Sequence, residues 1–404
     1  MSSSVLPRPR LSTDEYRERV LSLFASGPCV ERVEIAAALG RVLVTDVRAE
    51  VDVPGFANSA MDGFGIAGGA QASSWTVVDD IPAGRTGARL IGPGEAVRIM
   101  TGAPIPDGVD TVVPIEDCVV DGASVRFSAP VRPGQHVRPA GQDVQRGALI
   151  LSAGMRLAAR HVSAAAAVGV PAVDVARPPR VGIVTTGDEL RTAGEPLGPA
   201  SIYDSNGPYL TAAVALAGGT VTARLRSDDH PESLAAALEE AASAAELVVV
   251  AGGVSVGDHD VTREVLTGAG GTFVTVAMQP GKPQGYARWA GVPVLALPGN
   301  PVSVAVSFAC FVRPVLGALL GEAARPSRFA VVDAGWTSVP GRRQFMPVAL
   351  ASGADGTLRV RPATEGGSGS HLVTSMARAD ALAIVGESVT NVAAGDVVEL
   401  LDFG

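Results

Sequence analysis

Four short stretches between residues 185 and 303 combine residue types that handle charged ligands, and each follows a run of β-formers. Thr185-Thr186-Gly187-Asp188-Glu189 follows Val181 to Val184, and the run from Gly252 through Gly253, Ser255, Gly257 and Asp258 to Asp260 follows Leu247 to Val250. Gln279-Pro280-Gly281-Lys282-Pro283 follows Thr272 to Ala277, and Pro298-Gly299-Asn300-Pro301-Val302-Ser303 follows Val292 to Leu297. A glycine-rich run such as Gly252 to Gly257 exposes successive backbone N–H groups, a nest for anions. Pro301 suits the first turn of a helix, where free N–H groups favour phosphate. Lys282 is the single lysine among 32 basic residues, so it marks a place where a compact ammonium does what a planar guanidinium does not. Asp188, Glu189, Asp258 and Asp260 crowd the same stretches. Carboxylates beside a phosphate repel it unless a divalent cation lies between, and hard oxygen ligands of this kind suit Mg²⁺. The reading is a phosphorylated, nucleotide-like ligand held through amides, one lysine and Mg²⁺.

A rival chemistry lies in the same stretch. Gly253-Val254-Ser255-Val256-Gly257 matches the G-x-S-x-G pattern of a nucleophile elbow, and His259 and His371 follow it in sequence. No HGGG-type oxyanion segment accompanies it, and Asp258 and Asp260 crowd the serine. A serine hydrolase acting through Ser255 is therefore the remote alternative. His136, His161 and His230 show no metal-ligand spacing, which argues against a zinc site.

The elements that position these loops are legible from periodicity. At about 150 residues per domain, 404 residues predict two to four domains. With 47% apolar and 18% charged residues the chain has material for large cores. A capping box at Ser12-Thr13-Asp14-Glu15 opens a helix expected to reach about Ala25, and a short helix is expected over Val33 to Leu39, ending at Gly40. From Asp46 to about Gly154, short β-rich runs alternate with Pro/Gly turns, and Leu157 to Val168 reads as a helix. From Arg180, strands at 181–184, 220–225, 247–250, 272–277 and 292–297 alternate with helices at 206–217, 231–245, 260–267 and 302–319. That alternation predicts βαβ units and a largely parallel sheet, whose ligands bind beyond the carboxyl ends of its strands. After about Arg325 the chain returns to short strands. The domains expected are a discontinuous N-terminal linker domain (1–54 and 137–178), a β-rich insert (55–136), a three-layer α/β domain (179–324) and a small C-terminal β domain (325–404).

Composition narrows the partners. A formal charge of −9 without a basic tract argues against nucleic acid and anionic membrane. Cys29, Cys118 and Cys310 form no CxxC pair and suit a reducing, cytoplasmic setting. The opening MSSSVLPRPR has no apolar core like that of a signal peptide. The most apolar stretch, Pro301 to Val312, is about twelve residues against the roughly twenty of a membrane span, so a buried helix is expected there.

Taken in order, these motifs resemble the molybdopterin molybdenumtransferase family, which includes the C-terminal part of gephyrin-like proteins. The resemblance spans nearly the whole chain. It includes Asn58-Ser59-Ala60-Met61-Asp62-Gly63-Phe64, Thr101-Gly102-Ala103-Pro104-Ile105-Pro106, Asp110-Thr111-Val112-Val113-Pro114 and Arg138-Pro139-Ala140-Gly141-Gln142-Asp143-Val144. It continues through Tyr203-Asp204-Ser205-Asn206, the four loops above, and Gly369-Ser370-His371. What the resemblance implies is a molybdopterin-binding α/β domain and an elongated homodimer. The active cleft would lie between the sheet domain of one subunit and the β-rich insert of the other. The implied reaction takes adenylylated molybdopterin and molybdate, cleaves the phosphoanhydride with Mg²⁺, and releases AMP and molybdenum cofactor; a molybdopterin adenylyltransferase is an implied partner. Carried over by motif, Asp62, Thr101, Asp143, Glu189, Asp229 and Lys282 are candidate catalytic residues. Ligand-binding candidates are Gly252, Gly253, Ser255 and Gly257 in one loop, with Lys282, Pro298, Asn300, Pro301, Ser303 and Ser370. Metal candidates are Glu189, Asp258 and Asp260. One departure stands out: Gln279 occupies a position where many relatives carry a second lysine, removing a positive charge near the anion while keeping hydrogen-bonding capacity. The same fold serves non-catalytic binding in gephyrin-like proteins, so a molybdopterin-binding scaffold is the alternative function.

Overall fold

The computed structural model describes residues 10–403 apart from 25–26, 69–71, 88, 129, 255–259, 325 and 366. Two compact units divide the chain, one comprising 1–31 with 176–404 and the other 32–175.

The first unit is built on a seven-stranded sheet. Its spatial order is Arg10–Leu11, Thr272–Val276, Pro283–Trp289, Val292–Leu297, Leu247–Ala251, Arg180–Thr186 and Thr220–Ser227. Six strands run parallel. Pro283–Trp289, which periodicity did not reveal, runs antiparallel to both neighbours. Short connections dictate this, because a parallel return needs a long crossover. On one side lies the loop carrying Gln279 to Lys282. On the other, Ala290 and Gly291 both have positive φ (47° and 84°), as a two-residue hairpin turn requires.

The sheet is buried on both faces. Along Leu247–Ala251, Leu247, Val249 and Ala251 join one apolar cluster while Val248 and Val250 join another, the period of a strand. The first cluster is covered by helices Thr13–Leu21 and Asn206–Leu216 and the long helix beginning at Pro301; the second by Pro231–Ala242 and Val261–Gly268. Gly182 lets the second layer approach closely, since a Cβ there would lie 2.9 Å from both Ala241 Cβ and Ala241 O.

The helix expected over 302–319 is present, with an irregularity. Pro301–Ser307 is α-helical, Phe308–Val312 is π-helical, and Arg313–Leu320 is α-helical again. Pro314 lacks an N–H and its ring crowds the carbonyl four residues back, so a wider turn ahead of it relieves both problems. The span Pro301–Leu319 is apolar and long enough to cross a membrane by composition, yet 78% of its most apolar window is buried inside the fold, as expected of a core helix.

The N-terminal helix is capped as anticipated. Ser12 Oγ accepts from Glu15 N (3.1 Å) and Glu15 Oε2 accepts from Ser12 N (2.7 Å). It ends at Leu21, short of Ala25. The short helix expected over Val33 to Leu39 is corrected: Val30–Glu34 is a strand followed by a single 3₁₀ turn, Ile35–Ala37. The valines of Val30-Glu31-Arg32-Val33-Glu34 stand three apart, a helical spacing, and it is pairing with the strand Ala172–Ala176 that holds the segment extended.

The C-terminal strands close into a small barrel. Arg343–Ser352 pairs with both Leu358–Pro362 and Ala381–Val385, and the two-residue strand Met278–Gln279 adds to its edge in parallel. The second unit, 32–175, holds a six-stranded sheet centred on Glu95–Ile99 and Trp75–Ile81, and a separate apolar cluster around Leu43, Leu151 and Val175.

Candidate functional site

The four loops meet at the rim of one cavity of about 710 Å³. After Arg180–Thr186, Thr186, Gly187 and Glu189 line it. Asp188 and Asp229 are locked together beside them. Asp188 N donates to Asp229 Oδ2 (3.2 Å), Asp229 N donates to Asp188 Oδ1 (3.0 Å), and Thr186 Oγ1 donates to Asp229 Oδ1 (3.3 Å). Asp229 therefore reaches the cavity wall by joining two strand ends rather than by capping the helix that follows.

After Leu247–Ala251 the chain turns sharply. Gly252 and Gly253 line the cavity with φ of +117° and +62°, and Gly252 N donates to Leu297 O at 3.1 Å. A Cβ on Gly252 would fall 2.6 Å from Thr186 O, so three strand ends are packed backbone to backbone here. Asp260 lines the cavity just ahead of helix Val261–Gly268. Ser255, Gly257 and Asp258 lie outside the described residues.

The loop after Thr272–Val276 supplies Gln279 and Lys282. Its closure is local: Val276 N donates to Lys282 O (2.8 Å). The Lys282 side chain is exposed at the cavity, whereas Gly281 and Pro280 are buried. After Val292–Leu297, Pro298, Asn300, Pro301 and Ser303 line the cavity as well. Here the expected anion-binding helix start is partly occupied by the chain itself. Val302 N donates to Ser370 O (3.1 Å) and Asn300 Nδ2 donates to Ser370 Oγ (3.0 Å). Ser370 reaches the cavity, and part of its role is to seat this loop.

Three of the lining residues that sequence reasoning did not single out bear on the chemistry of the site. Arg342 adds a guanidinium to the wall that carries Lys282, and as one arginine among many it gave no signal. Asn206 is 8% exposed; its Nδ2 donates to Gly299 O (2.7 Å) while its Oδ1 is buried without a partner. Its presence in Tyr203-Asp204-Ser205-Asn206 was the available clue. Ser368 is held from behind: Trp336 Nε1 donates to Gln344 Oε1 (3.0 Å), and Gln344 Nε2 donates to Ser368 Oγ (3.2 Å).

The acids of the wall are Glu189, Asp229 and Asp260. Among the described residues no group of three or more His, Cys, Asp and Glu side chains is gathered closely enough to form a metal cage. Mg²⁺ is usually held by one or two carboxylates plus substrate phosphates rather than by an all-protein cage, so hard carboxylate oxygens at this wall fit it.

Asp62, Thr101 and Asp143 belong to the other unit, 32–175. Asp62 Oδ1 accepts from Thr101 N (2.7 Å) and Thr101 Oγ1 (2.8 Å). Those two bonds, the backbone one foremost, hold the Asp62 carboxyl below the usual carboxylate range. Asp143 is exposed, its backbone N–H donating to Val53 O at 2.9 Å.

Residues 11–169 match the MoeA N-terminal region (domains I and II), residues 182–318 a probable molybdopterin binding domain, and residues 330–403 the MoeA C-terminal region (domain IV). The chain is 40% identical over 388 residues to molybdopterin molybdenumtransferase 2 of Mycobacterium tuberculosis, covering 92% of this chain and 94% of that one. It is 30% identical over 400 residues to the molybdopterin molybdenumtransferase of Haemophilus influenzae, covering 97% and 98% respectively. Among solved structures, the molybdopterin biosynthesis MoeA protein of Pyrococcus horikoshii superposes with a TM-score of 0.83 at 26% identity, over 98% of this chain and all (100%) of that one. Matching regions in the same order along almost the full length establish that the chain belongs to the MoeA family.

Proposed function

We propose that this chain is a molybdopterin molybdenumtransferase, inserting molybdenum from molybdate into adenylylated molybdopterin. The phosphoanhydride is cleaved, and AMP and molybdenum cofactor leave. The observation that carries this reading is the convergence of four separated loops, with Lys282 and Arg342, on one wall of one cavity. A cavity of about 710 Å³ suits a ligand of nucleotide-like size.

The roles follow from the chemistry of each group. The ammonium of Lys282 and the guanidinium of Arg342 bind oxyanions, the first as a point charge and the second through a planar fork. The amide of Gly253 adds a donor for charge that develops on the phosphates, while that of Gly252 is spent on Leu297 O and fixes the turn. Glu189 and Asp260 are the groups that would hold Mg²⁺, with Asp258 as the third candidate, and the metal supplies charge neutralisation at the phosphates. Asp229 and Asp188 keep the two strand ends in place. The pterin dithiolene brings its own sulfur, so no protein cysteine is needed. Asp62, kept ionised by Thr101, steers a proton or a cation, and Asp143 shares that task. The working form proposed is a cytoplasmic homodimer that receives its substrate from a molybdopterin adenylyltransferase.

The test is direct. Purified protein given adenylylated molybdopterin, molybdate and Mg²⁺ releases AMP, and Lys282→Ala loses most of that release. Binding without AMP release would make the chain a molybdopterin-binding scaffold instead.

A further inference from the structure

Lys282 sits beside a buried polar bracket that its chemistry does not require. Gln284 has no exposed surface (0%) and Ser307 likewise has none (0%). Gln284 Nε2 donates to Gly281 O (2.8 Å) and to Ser307 Oγ (2.6 Å). The carbonyl of Gly281 can only accept, so the amide nitrogen must face it, and both of its protons are then used. The other end of the amide, Gln284 Oε1, is buried without a partner. Burying an acceptor unpaired is destabilising, and an apolar side chain of similar length would avoid that cost. A core that tolerates the orphan is holding something in place with it.

What it holds is the turn ahead of Lys282. Gly281 has φ +99°, and a Cβ there would meet Ser307 Oγ at 3.2 Å, Met278 Cε at 3.3 Å and Gln284 Nε2 at 3.5 Å. The peptide bearing Lys282 is thus seated on the bracket. The far end of the bracket is rigid as well. Ser307 is the last residue before the π-helical segment Phe308–Val312, in the most apolar core of the unit. Periodic patterning gave no hint of any of this, because Gln284 falls in the strand it did not reveal.

We propose that Gln284, through Gly281 and Ser307, is a positioning residue that fixes where the Lys282 ammonium meets its anion. Gln284 touches no ligand; it sets the path of the backbone from which Lys282 extends. This inference rests on the reading of Lys282 as the oxyanion-binding cation.

Because Lys282 is the single lysine, reductive ¹³C-methylation places one dimethyl-lysine NMR signal on the site, distinct from the α-amine, which titrates lower. Wild type, Gln284→Met, Ser307→Ala and Ser307→Thr would each be labelled and titrated with molybdate alone. The unlabelled proteins would be assayed for AMP release and for Tm. The expected result is that Gln284→Met and Ser307→Ala stay folded, with a narrowed, shifted lysine signal and at least a fivefold weaker response to molybdate. Their kcat for AMP release falls about 10- to 100-fold, the scale of an ångström-level misplacement, with KM changed less. Ser307→Thr, which keeps the hydroxyl, restores both readouts. A wild-type lysine signal and wild-type kcat in folded Gln284→Met, or in Ser307→Ala should Gln284→Met fail to fold, would overturn the proposal. Loss of AMP release in wild type would instead end the proposed reaction, leaving the lysine signal to decide the positioning role alone.

Discussion

Gly252→Ala tests whether the meeting of three strand ends is what makes the site. Gly252 has φ +117°, which an L-residue rarely adopts, and a Cβ would stand 2.6 Å from Thr186 O. Ordinary contact begins about 0.8 Å further out, and the obstacle is a backbone carbonyl inside a strand rather than a mobile side chain. The loop must therefore move by most of an ångström. Strain of this kind costs about 1–3 kcal/mol. For a unit of this size that lowers Tm by roughly 2–10 °C. The functional loss is expected to be larger in proportion, on the order of 100-fold in AMP release, because donors displaced by about 1 Å no longer meet developing charge. Gly268→Ala serves as the control: at the end of its helix a Cβ meets nothing within 4 Å, so stability and activity should hold. The assays are AMP release at saturating molybdate and Mg²⁺, and thermal unfolding of both variants. Wild-type AMP release from folded Gly252→Ala would refute the reasoning, since the packed backbone would then not be what places the Gly253 amide and the loop that follows it.

Arg342→Ala should raise the KM for molybdate or adenylylated substrate about 10- to 100-fold, the scale of one charge-assisted hydrogen bond, with Tm unchanged; an unaltered KM would remove Arg342 from the site. Gln279→Lys adds a cation at the same wall, so molybdate binding measured by calorimetry should tighten, and more so at low ionic strength; equal affinity at 20 mM and 500 mM salt, chosen as about 20 and 4 Å of screening length, would count against it. Thr101→Val removes one of the two bonds that depress Asp62, so its pKa should rise toward the ordinary value in an NMR titration. The sign is fixed: the native bonds favour the ionised form, so their stabilisation is present above the unfolded carboxylate value near about 3.9 and is lost as pH falls through the depressed folded value. An unmoved Asp62 titration in Thr101→Val would show that the backbone N–H of Thr101 alone sets it.

The parallel strands and their loops were legible because burial on both faces forces near-continuous apolar runs such as Leu247-Val248-Val249-Val250. Pro283–Trp289 was not. It begins with proline and carries Gln284, Gly285 and Arg288, so neither a run nor a clean alternation stands out. The helix expected at Val33 to Leu39 failed for the opposite reason: the apolar spacing is helical, and a distant pairing with Ala172–Ala176 overrides it. Within the site, residues following strands were found because topology sends them to one rim. Arg342 arrives from the C-terminal barrel, and only the pairing of Met278–Gln279 with Arg343–Ser352 brings it there. A long-range pairing two residues in length leaves no periodic trace. Asp188 looked like a ligand-facing acid and is a structural one, committed to Asp229.

The charge of the cavity wall carries the remaining step of the argument. Its described acids are Glu189, Asp229 and Asp260, and its described cations are Lys282 and Arg342. Asp229 is hydrogen-bonded to backbone and hydroxyl donors, and the described wall as a whole sets three carboxylates against two cations. A pocket meant to hold any anion tightly would carry a clear excess of positive charge, as clefts that concentrate anions do. The described residues of this one do not, and Gln279 adds no charge to them. A phosphorylated ligand entering such a site gains little from the protein alone. In the proposed reaction a divalent cation held by Glu189 or Asp260 would change that, because it would reverse the sign of the interaction between the phosphates and these acids. Near-neutrality of the wall is therefore what ties anion binding to Mg²⁺ in the proposed reaction. It makes ligands that chelate Mg²⁺ through adjacent phosphates better guests than simple oxyanions.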